Sequence, residues 1–363
     1  MHLDETNEQE ERTGAEVNQP QVQPPETTAP VTSSINISKE NSWSRSQLDL
    51  SPVTNIVDKV KNEIGKVIIG QDEMVELMMA GMFTSGHVLV EGVPGIAKTL
   101  TSKLLAQTFK VGYSRIQFTP DLMPTDVVGT SIFNLKTSEF SFNKGPIFSN
   151  IILIDEINRA PAKTQSALFE VMEEFQVSMD GETYKMDYPF FVIATQNPIE
   201  QEGTYKLPEA QLDRFLFKIN LKYPTLEEEQ KILERFKDDF RIRKKEEVQP
   251  VCSAEDVKVC QDIIEKVHIK NELLGYIAAI IHNTRNNGDL FLGASPRASL
   301  AIMRSSKAVA AMNGRDFVTP DDIQYVADPV LNHRIILTPE REMEGYTSKD
   351  VVMDIIKKIE VPR

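Results

Sequence analysis

A glycine-rich loop between a predicted strand and a predicted helix narrows the possible folds of this chain further than any other segment. The loop reads Gly92-Val93-Pro94-Gly95-Ile96-Ala97-Lys98-Thr99, after a strand predicted over 87–90 and before a helix that extends to about residue 109. The backbone N–H groups of such a loop and the N-terminus of the helix form a cradle for anions. The sequence therefore predicts a phosphate-binding loop, in which Lys98 reaches the β- and γ-phosphates of a nucleotide and the Thr99 hydroxyl binds Mg²⁺.

One position of the loop departs from the usual pattern G-x-x-x-x-G-K-[ST]. Ala97 stands where the last glycine normally lies. Because alanine carries a Cβ, we expect the backbone of Ala97 to avoid the conformations that penalise a Cβ. The alternative interpretation, an ordinary turn followed by an accidental Lys-Thr pair, is disfavoured by the acidic motif downstream.

That motif is a pair of carboxylates at the end of a second strand. The run Ile151-Ile152-Leu153-Ile154 is apolar on both faces and ends in Asp155 and Glu156. Such an end lies at the carboxyl edge of the sheet, where ligands of open α/β folds bind. In this Walker B arrangement, we predict that Asp155 holds Mg²⁺ and that Glu156 polarises the attacking water. Two acids after a strand usually form a helix cap or a solvated turn, but the phosphate loop reverses that expectation.

Three further residues complete the predicted catalytic site. Asn197 follows another apolar strand and is the candidate that senses the γ-phosphate and orients water, although Asn-Pro after a strand is most often a simple turn. Arg214 precedes the last core strand, with a surface pairing to Asp213 as the alternative. Arg297 lies in the first turn of a predicted helix, where the helix dipole opposes a cation. This position indicates an anionic partner such as ATP, the alternative being a solvated arginine.

The order of the predicted elements indicates an α/β core followed by helices. Apolar or β-branched runs of strand length cover residues 87–90, 115–119, 151–154, 190–195 and 215–221, and helical patterns separate most of them. Runs that are apolar on both faces predict a parallel sheet covered on both sides. After Pro224 only helical patterns follow, three of which begin with a capping box at Thr225, Ser253 and Thr319. We therefore predict a nucleotide-binding core over 51–224 and a helical domain over 225–363.

The N-terminal segment 1–50 has a different composition. It carries nine acidic and three basic side chains, a local net charge of −6, together with four prolines and a single aromatic residue, Trp43. Such a segment cannot bury enough apolar surface to offset the entropy of ordering. We predict that residues 1–50 form a disordered acidic tail.

Composition disfavours several classes of protein. The formal net charge of −14 disfavours a protein whose main task is gripping nucleic-acid phosphates. No apolar run reaches the roughly 20 residues of a membrane span, and the N-terminal residues lack the pattern of a secretory signal. We therefore expect a cytoplasmic protein without membrane insertion. Cys252 and Cys260 lie in a helical segment without a second pair or a histidine cluster, and we expect them to be packing residues.

With these motifs assembled, the chain from about residue 56 to 336 resembles the MoxR family of AAA+ ATPases. The resemblance rests on the phosphate loop, including its alanine, and on four further segments: Asp155-Glu156-Ile157-Asn158-Arg159-Ala160-Pro161, Ala194-Thr195-Gln196-Asn197-Pro198, Leu212-Asp213-Arg214-Phe215 and Gly293-Ala294-Ser295-Pro296-Arg297. It implies a P-loop AAA+ core with a parallel sheet and a C-terminal all-helical lid domain. Within the core, residues 130–146 look like the helix 2 insert and residues 176–191 like the pre-sensor 1 hairpin, whose turn is marked by Asp180-Gly181. Their alternative interpretation is two surface hairpins.

The resemblance also implies roles for individual residues. It makes Asn197 the sensor 1 residue, Arg214 an arginine finger given to a neighbouring subunit, and Arg297 the sensor 2 residue. With ATP and Mg²⁺ as cofactors, Thr99 and Asp155 would hold the metal. The residues expected at the nucleotide are Ile69, Gly70, Gly92, Val93, Pro94, Gly95, Ile96, Ala97, Lys98, Thr99 and Leu100.

The implied function is ATP hydrolysis to ADP and phosphate by a chaperone-like remodeller of protein partners. Such proteins work as rings, here expected to be a hexamer, and MoxR relatives are commonly partnered with proteins that bear a von Willebrand factor A domain. Two alternatives stay open. A DNA-dependent motor would share the insert and the hairpin, although the acidic charge disfavours it. A nucleotide-gated scaffold would bind ATP with little turnover, and the presence of Glu156 and Arg214 speaks against it.

Overall fold

The computed structural model describes residues 48–136, 138–198, 203–237 and 248–362. The predicted disordered tail lies outside these residues except for its last three positions. Among those three, Leu50 is buried and packs into the apolar core. The core therefore includes the end of the segment that composition alone assigns to the tail.

The secondary structure alternates between strands and helices up to β9 and is mainly helical thereafter. In chain order, the strands are β1 (His87–Glu91), β2 (Tyr113–Gln117), β3 (Gly129–Asn134), β4 (Glu139–Lys144), β5 (Ile151–Asp155), β6 (Gln176–Met179), β7 (Glu182–Lys185), β8 (Phe191–Gln196), β9 (Phe215–Asn220), β10 (Leu290–Leu292) and β11 (Ile336–Leu337). The helices are α1 (Ser51–Gly65), α2 (Asp72–Phe83), α3 (Lys98–Gln107), α4 (Pro124–Val128), α5 (Ala162–Glu174), α6 (Glu209–Leu212), α7 (Leu226–Phe236), α8 (Ala254–Glu265), α9 (Asn271–Arg285), α10 (Pro296–Met312), α11 (Pro320–Leu331), α12 (Pro339–Met343) and α13 (Ser348–Lys358).

Five of these strands form a parallel sheet in the order β2-β5-β8-β1-β9. The register aligns their carboxyl ends, because Gln117 lies opposite Asp155 and Glu91 lies opposite Gln196. The loops that follow β1, β5 and β8 therefore emerge at one edge of the sheet. This arrangement confirms the predicted parallel sheet and brings the phosphate loop next to the two carboxylates.

Apolar side chains cover the sheet on both faces. Ile151 and Leu153 of β5 pack into one cluster with side chains of α1 and α2. Ile152 and Ile154 pack into a second cluster with side chains of α5. A strand that contributes to both clusters must be apolar at every position, which explains why β5 reads as a continuous apolar run.

The segment predicted as an insert and the segment predicted as a hairpin both form antiparallel strand pairs. The first joins β3 and β4, and the second joins β6 and β7. Asp180 and Gly181 have φ angles of 53° and 81°, as the tight turn of a two-residue hairpin requires.

The second domain is helical, as predicted, with one departure. The Thr225 N–H donates to the Glu228 carboxylate at 2.8 Å, and the Glu228 N–H donates to the Thr225 hydroxyl at 3.3 Å, so this capping box is present. The departure is a two-stranded antiparallel ribbon of β10 and β11. Strands of three and two residues are too short to show the alternation of apolar and polar residues by which a strand is predicted.

Two further observations concern predictions made from composition. Cys252 and Cys260 are both buried, as expected of packing residues. None of the helices in the described part of the chain combines the length and the apolar character that a membrane span requires.

Candidate nucleotide-binding site

A cavity of about 650 Å³ opens at the carboxyl edge of the sheet. Among the predicted site residues, it is lined by Ile69, Pro94, Gly95, Ile96, Ala97, Lys98, Thr99, Leu100, Asp155, Glu156 and Asn197. The remaining predictions do not line it: Gly70, Gly92, Val93, Arg214 and Arg297. The structure thus brings together the loop, the two carboxylates and Asn197, and leaves both arginines elsewhere.

Lys98 ties the phosphate loop to the neighbouring strand. Its Nζ donates to the carbonyl oxygen of Gly92 at the start of the loop. It also donates to the carbonyl oxygen of Gln196 at the end of β8, at 3.0 Å. The ammonium group is therefore held at the mouth of the loop, where it can exchange these carbonyl partners for phosphate oxygens.

The expectation for the backbone of Ala97 is wrong. Ala97 has φ 62° and ψ 21°, which is the left-handed conformation that a Cβ disfavours. Gly95 also has a positive φ, of 87°. Left-handed residues that alternate with right-handed ones turn successive N–H groups toward one point, and this geometry makes an anion nest. The loop keeps that geometry at Ala97 at a cost of roughly 1–2 kcal/mol.

Gly92 and Gly70 shape the site without lining the cavity. A Cβ on Gly92 would lie 2.5 Å from the Ile96 Cδ1 atom and 3.1 Å from the Leu221 Cβ atom, so a larger residue here would require the Ile96 side chain to move. Gly70 has φ 77°, and a Cβ there would lie 2.7 Å from the carboxyl carbon of Glu228. The positive φ favours glycine here, and a Cβ would also have to displace the Glu228 carboxylate, which caps α7.

Asp155 is buried and accepts three hydrogen bonds. The Thr99 hydroxyl donates to its Oδ1 atom at 2.9 Å, and the Thr195 hydroxyl donates to the same atom at 3.1 Å. The Arg115 Nε atom lies 2.6 Å from Oδ2. Mg²⁺ in nucleotide sites is typically held by one or two carboxylates together with phosphate oxygens. A hydroxyl and a carboxylate that already touch, beside an anion cradle, fit that requirement.

Glu156 begins a tight turn beside the cavity. Its φ is 57°, its N–H donates to the Thr195 hydroxyl at 3.1 Å, and its carboxylate pairs with Arg159 at 2.6 Å. Thr195 therefore connects the backbone of Glu156 to the carboxylate of Asp155. Asn197, one residue beyond β8, is buried and lines the same cavity.

Burial also changes the pKa of Tyr113, a residue near Asp155. Tyr113 begins β2, and burial together with the negative charge of Asp155 raises its pKa. The higher pKa keeps the phenol protonated near neutral pH.

Arg214 and Arg297 lie at the opposite edge of the sheet. Arg214 directly precedes Phe215, which pairs with His87 at the start of β1. The rise of about 3.3 Å per residue makes a five-residue strand roughly 16 Å long, and this length separates the arginines from the phosphate loop. They line a second cavity, of about 230 Å³, together with Glu173, Arg304 and Arg334.

Both arginines bind the same carboxylate. The Arg214 Nη1 atom lies 2.7 Å from Glu173 Oε2, and the Arg297 Nη2 atom lies 2.5 Å from Glu173 Oε1. Arg214 also donates to the carbonyl oxygen of Phe169 at 2.5 Å. The anionic partner that the position of Arg297 indicated is therefore, within this chain, Glu173 at the end of α5.

Sequence reasoning missed two parts of the nucleotide cavity. One is an apolar slot suited to a base, formed by Val67, Ile68, Pro224, Ile232 and Phe236. Ile232 and Phe236 are four residues apart on α7, and this spacing could have predicted that they share one apolar face of the helix. The other is Arg115, whose position on an edge strand gave no signal in the sequence.

Comparison with known proteins agrees with this geometry. Residues 87–217 match the model of the ATPase family associated with various cellular activities (AAA), and residues 282–355 match the AAA lid domain. The chain is 45% identical to the uncharacterised protein YeaC of Bacillus subtilis, over 87% of this chain and 97% of the relative. It is 42% identical to the chaperone MoxR1 of Mycobacterium tuberculosis, over 86% and 84%. A crystal structure of an ATPase candidate from Cytophaga hutchinsonii superposes with a TM-score of 0.78 at 44% identity, over 86% of this chain and 97% of that one.

Proposed function

Because the chain belongs to the MoxR family of AAA+ ATPases and hydrolyses ATP, we propose that it uses this hydrolysis to remodel protein partners in a chaperone-like way. The observation that carries the proposal is an apolar tip on the β3–β4 hairpin. Leu135 is 85% exposed and Phe140 is 73% exposed, and the ring of Phe133 lies 5.0 Å from that of Phe140. Exposed apolar groups clustered in this way mark a surface for apolar segments of another protein.

The charge of the two hairpins favours a protein client over DNA. Residues 129–144 carry Lys136, Lys144 and Glu139, and residues 176–185 carry one lysine and two acids. Tight binding to DNA requires several cations on phosphates. The alternative of a DNA-dependent motor therefore has no support at these hairpins.

We assign the chemistry to the residues around the cavity. Thr99 and Asp155 would hold Mg²⁺, which would neutralise charge on the phosphates. Lys98 binds the β- and γ-phosphates, Glu156 takes a proton from the attacking water, and Asn197 orients that water. The turnover expected from Glu156 argues against a scaffold that binds ATP without hydrolysis.

We further propose that the protein works as a ring, expected to be a hexamer. Arg214 and Arg297 lie a strand length away from the phosphate loop of their own chain, so they act on the nucleotide of a neighbour. This arrangement supports Arg214 as an arginine finger and Arg297 as the sensor 2 residue. A partner with a von Willebrand factor A domain is proposed from the family resemblance alone.

Refolding of a heat-unfolded reporter enzyme with ATP tests the remodelling function. We expect a Phe133→Ser/Phe140→Ser variant to lose most of the refolding yield and to keep its ATPase rate, because neither ring lines the nucleotide cavity. Met343→Ser is the control, since Met343 is also apolar and exposed, on α12. Equal yields from the hairpin variant and the control would contradict the proposal.

A further inference from the structure

Arg115 contacts Asp155, the carboxylate proposed to hold the metal, from a different part of the fold than the other partners of Asp155. It lies on β2, an edge strand of the sheet, whereas the other groups that bind Asp155 come from α3 and β8. The side chain of Arg115 is 52% exposed and that of Asp155 is 4% exposed. A half-exposed cation therefore pairs with a buried anion at the wall of the nucleotide cavity.

The register of the sheet explains this contact. Gln117 lies opposite Asp155, and Arg115, two residues earlier, lies on the same face of β2. Its guanidinium therefore crosses diagonally to Oδ2, and it also lines the cavity. Because β2 is an edge strand and the side chain is half exposed, Arg115 can leave Asp155 without disturbing buried packing.

The two oxygen atoms of Asp155 have different partners. Oδ1 accepts hydrogen bonds from the hydroxyls of Thr99 and Thr195, while Oδ2 faces the guanidinium. A metal ion at this carboxylate and the guanidinium would repel each other and compete for the same negative charge. Binding of one cation must therefore weaken binding of the other, and the coupling is reciprocal.

We propose that Arg115 competes with Mg²⁺ for Asp155 and so sets how strongly nucleotide affinity depends on the metal. The inference rests on the proposed role of Asp155 as a Mg²⁺ ligand. Without the metal, Arg115 neutralises Asp155 and lowers the repulsion between this carboxylate and the phosphates. With the metal, Arg115 gives up the carboxylate and faces the open side of the cavity.

The test compares the affinity for a fluorescent ATP analogue in EDTA with its affinity in Mg²⁺. For Arg115→Met, we expect the dissociation constant in EDTA divided by that in Mg²⁺ to rise roughly tenfold, which is the effect of one charge-assisted hydrogen bond. The neutral side chain both unmasks Asp155 in EDTA and removes the competitor in Mg²⁺. Arg115→Lys keeps the charge and should give a smaller rise, and Arg115→Gln serves as a second neutral variant if the methionine variant folds poorly.

The same measurement in an Asp155→Asn background isolates the pair. If the inference is correct, Arg115→Met has no effect on the ratio once the carboxylate is gone. A ratio that stays unchanged in the single variants, or an effect of Arg115→Met that persists in the Asp155→Asn background, overturns the inference. If Asp155→Asn alone leaves the Mg²⁺ dependence intact, the proposed metal role of Asp155 fails instead, so the two failures are distinguishable.

Discussion

At the scale of single residues, the proposed roles separate nucleotide binding from bond cleavage. Lys98 is held at the mouth of the loop by two carbonyl oxygens, and Glu156 lies on the turn beyond β5. We expect Lys98→Ala to weaken ATP binding tenfold or more, because it removes the cation proposed to bind the β- and γ-phosphates. Glu156→Gln should retain binding and lower the rate a hundredfold or more, as expected for loss of a general base.

Calorimetric affinities and steady-state rates of the two variants check this division. Both variants should elute at the same volume as the wild-type protein, which serves as the control for folding. An equal loss of affinity in both variants would show that the assigned roles are wrong.

Ala97 allows a test of strain in the loop. Since Ala97 adopts φ 62°, its replacement by glycine removes the steric penalty of the left-handed conformation. Glycine also increases the entropy of the unfolded chain, so we expect a net gain of about 0.5–1 kcal/mol, seen as a small rise in melting temperature. ATP affinity should be unchanged. A lower melting temperature for Ala97→Gly would mean that the alanine methyl contributes packing that outweighs the strain.

At the scale of elements, His87 joins the start of β1 to its neighbours. Its Nδ1 atom accepts a hydrogen bond from the Val192 N–H at 3.1 Å, and its Nε2 atom lies 3.1 Å from the Met172 carbonyl oxygen. Burial lowers the pKa of His87 from 6.5 to about 4. The imidazole is therefore neutral, because a proton on Nδ1 would oppose a backbone donor.

This shift predicts a pH dependence of stability. Above pH 6.5 the folded and unfolded states both hold His87 neutral, so its contribution is complete. As the pH falls from 6.5 toward 4, only the unfolded state gains the proton, and stability falls by up to about 3 kcal/mol. Melting temperatures between pH 7.5 and 4.5 should decline less steeply for His87→Gln. The exposed His268→Gln is the matched control, and equal slopes for both variants would contradict the prediction.

Glu173 at the end of α5 connects the core to the lid. It binds Arg214 from the core and Arg297 from the lid, and without a shared carboxylate the two guanidinium groups would repel each other. We expect Glu173→Gln to lower the ATPase rate about tenfold with little change in the Michaelis constant, because the arginines lose their alignment. Glu174→Gln, one residue further on the same helix, is the matched control. Faster hydrolysis by Glu173→Gln would mean that this carboxylate restrains the arginines rather than positions them.

At the scale of the whole molecule, the sequence predicted what is local and missed what is paired over a distance. The phosphate loop, the carboxylates after β5 and the sheet follow from neighbouring residues, and the fold and the ATPase assignment are confirmed. The contact between Glu173 and Arg297 joins residues 124 positions apart, and no local pattern of residues in the sequence predicts such a contact. The conformation of Ala97 was missed because the whole loop determines it, against the preference of the residue.

The proposed ring can be tested by mixing two variants that are each inactive alone. If Arg214 reaches the γ-phosphate of a neighbour, Arg214→Ala loses transition-state stabilisation on the order of a thousandfold and still binds nucleotide. Glu156→Gln is also nearly inactive alone. When the two variants are mixed, an Arg214→Ala subunit keeps its own Glu156 and receives Arg214 from a Glu156→Gln neighbour, so some interfaces contain every wild-type group.

ATPase activity should therefore return to a fraction of the wild-type rate when the two variants exchange subunits. Exchange is followed by energy transfer between subunits that carry different dyes, so that a failure to mix is recognised. A mixture of Arg214→Ala with Lys98→Ala is a further control. An Arg214→Ala subunit keeps its own Lys98 and Glu156 and receives Arg214 from a Lys98→Ala neighbour, so this mixture should recover comparable activity. If exchange is complete and neither mixture regains activity, Arg214 does not act across a subunit boundary. The separation between the arginines and the phosphate loop would then require a large closure within one chain.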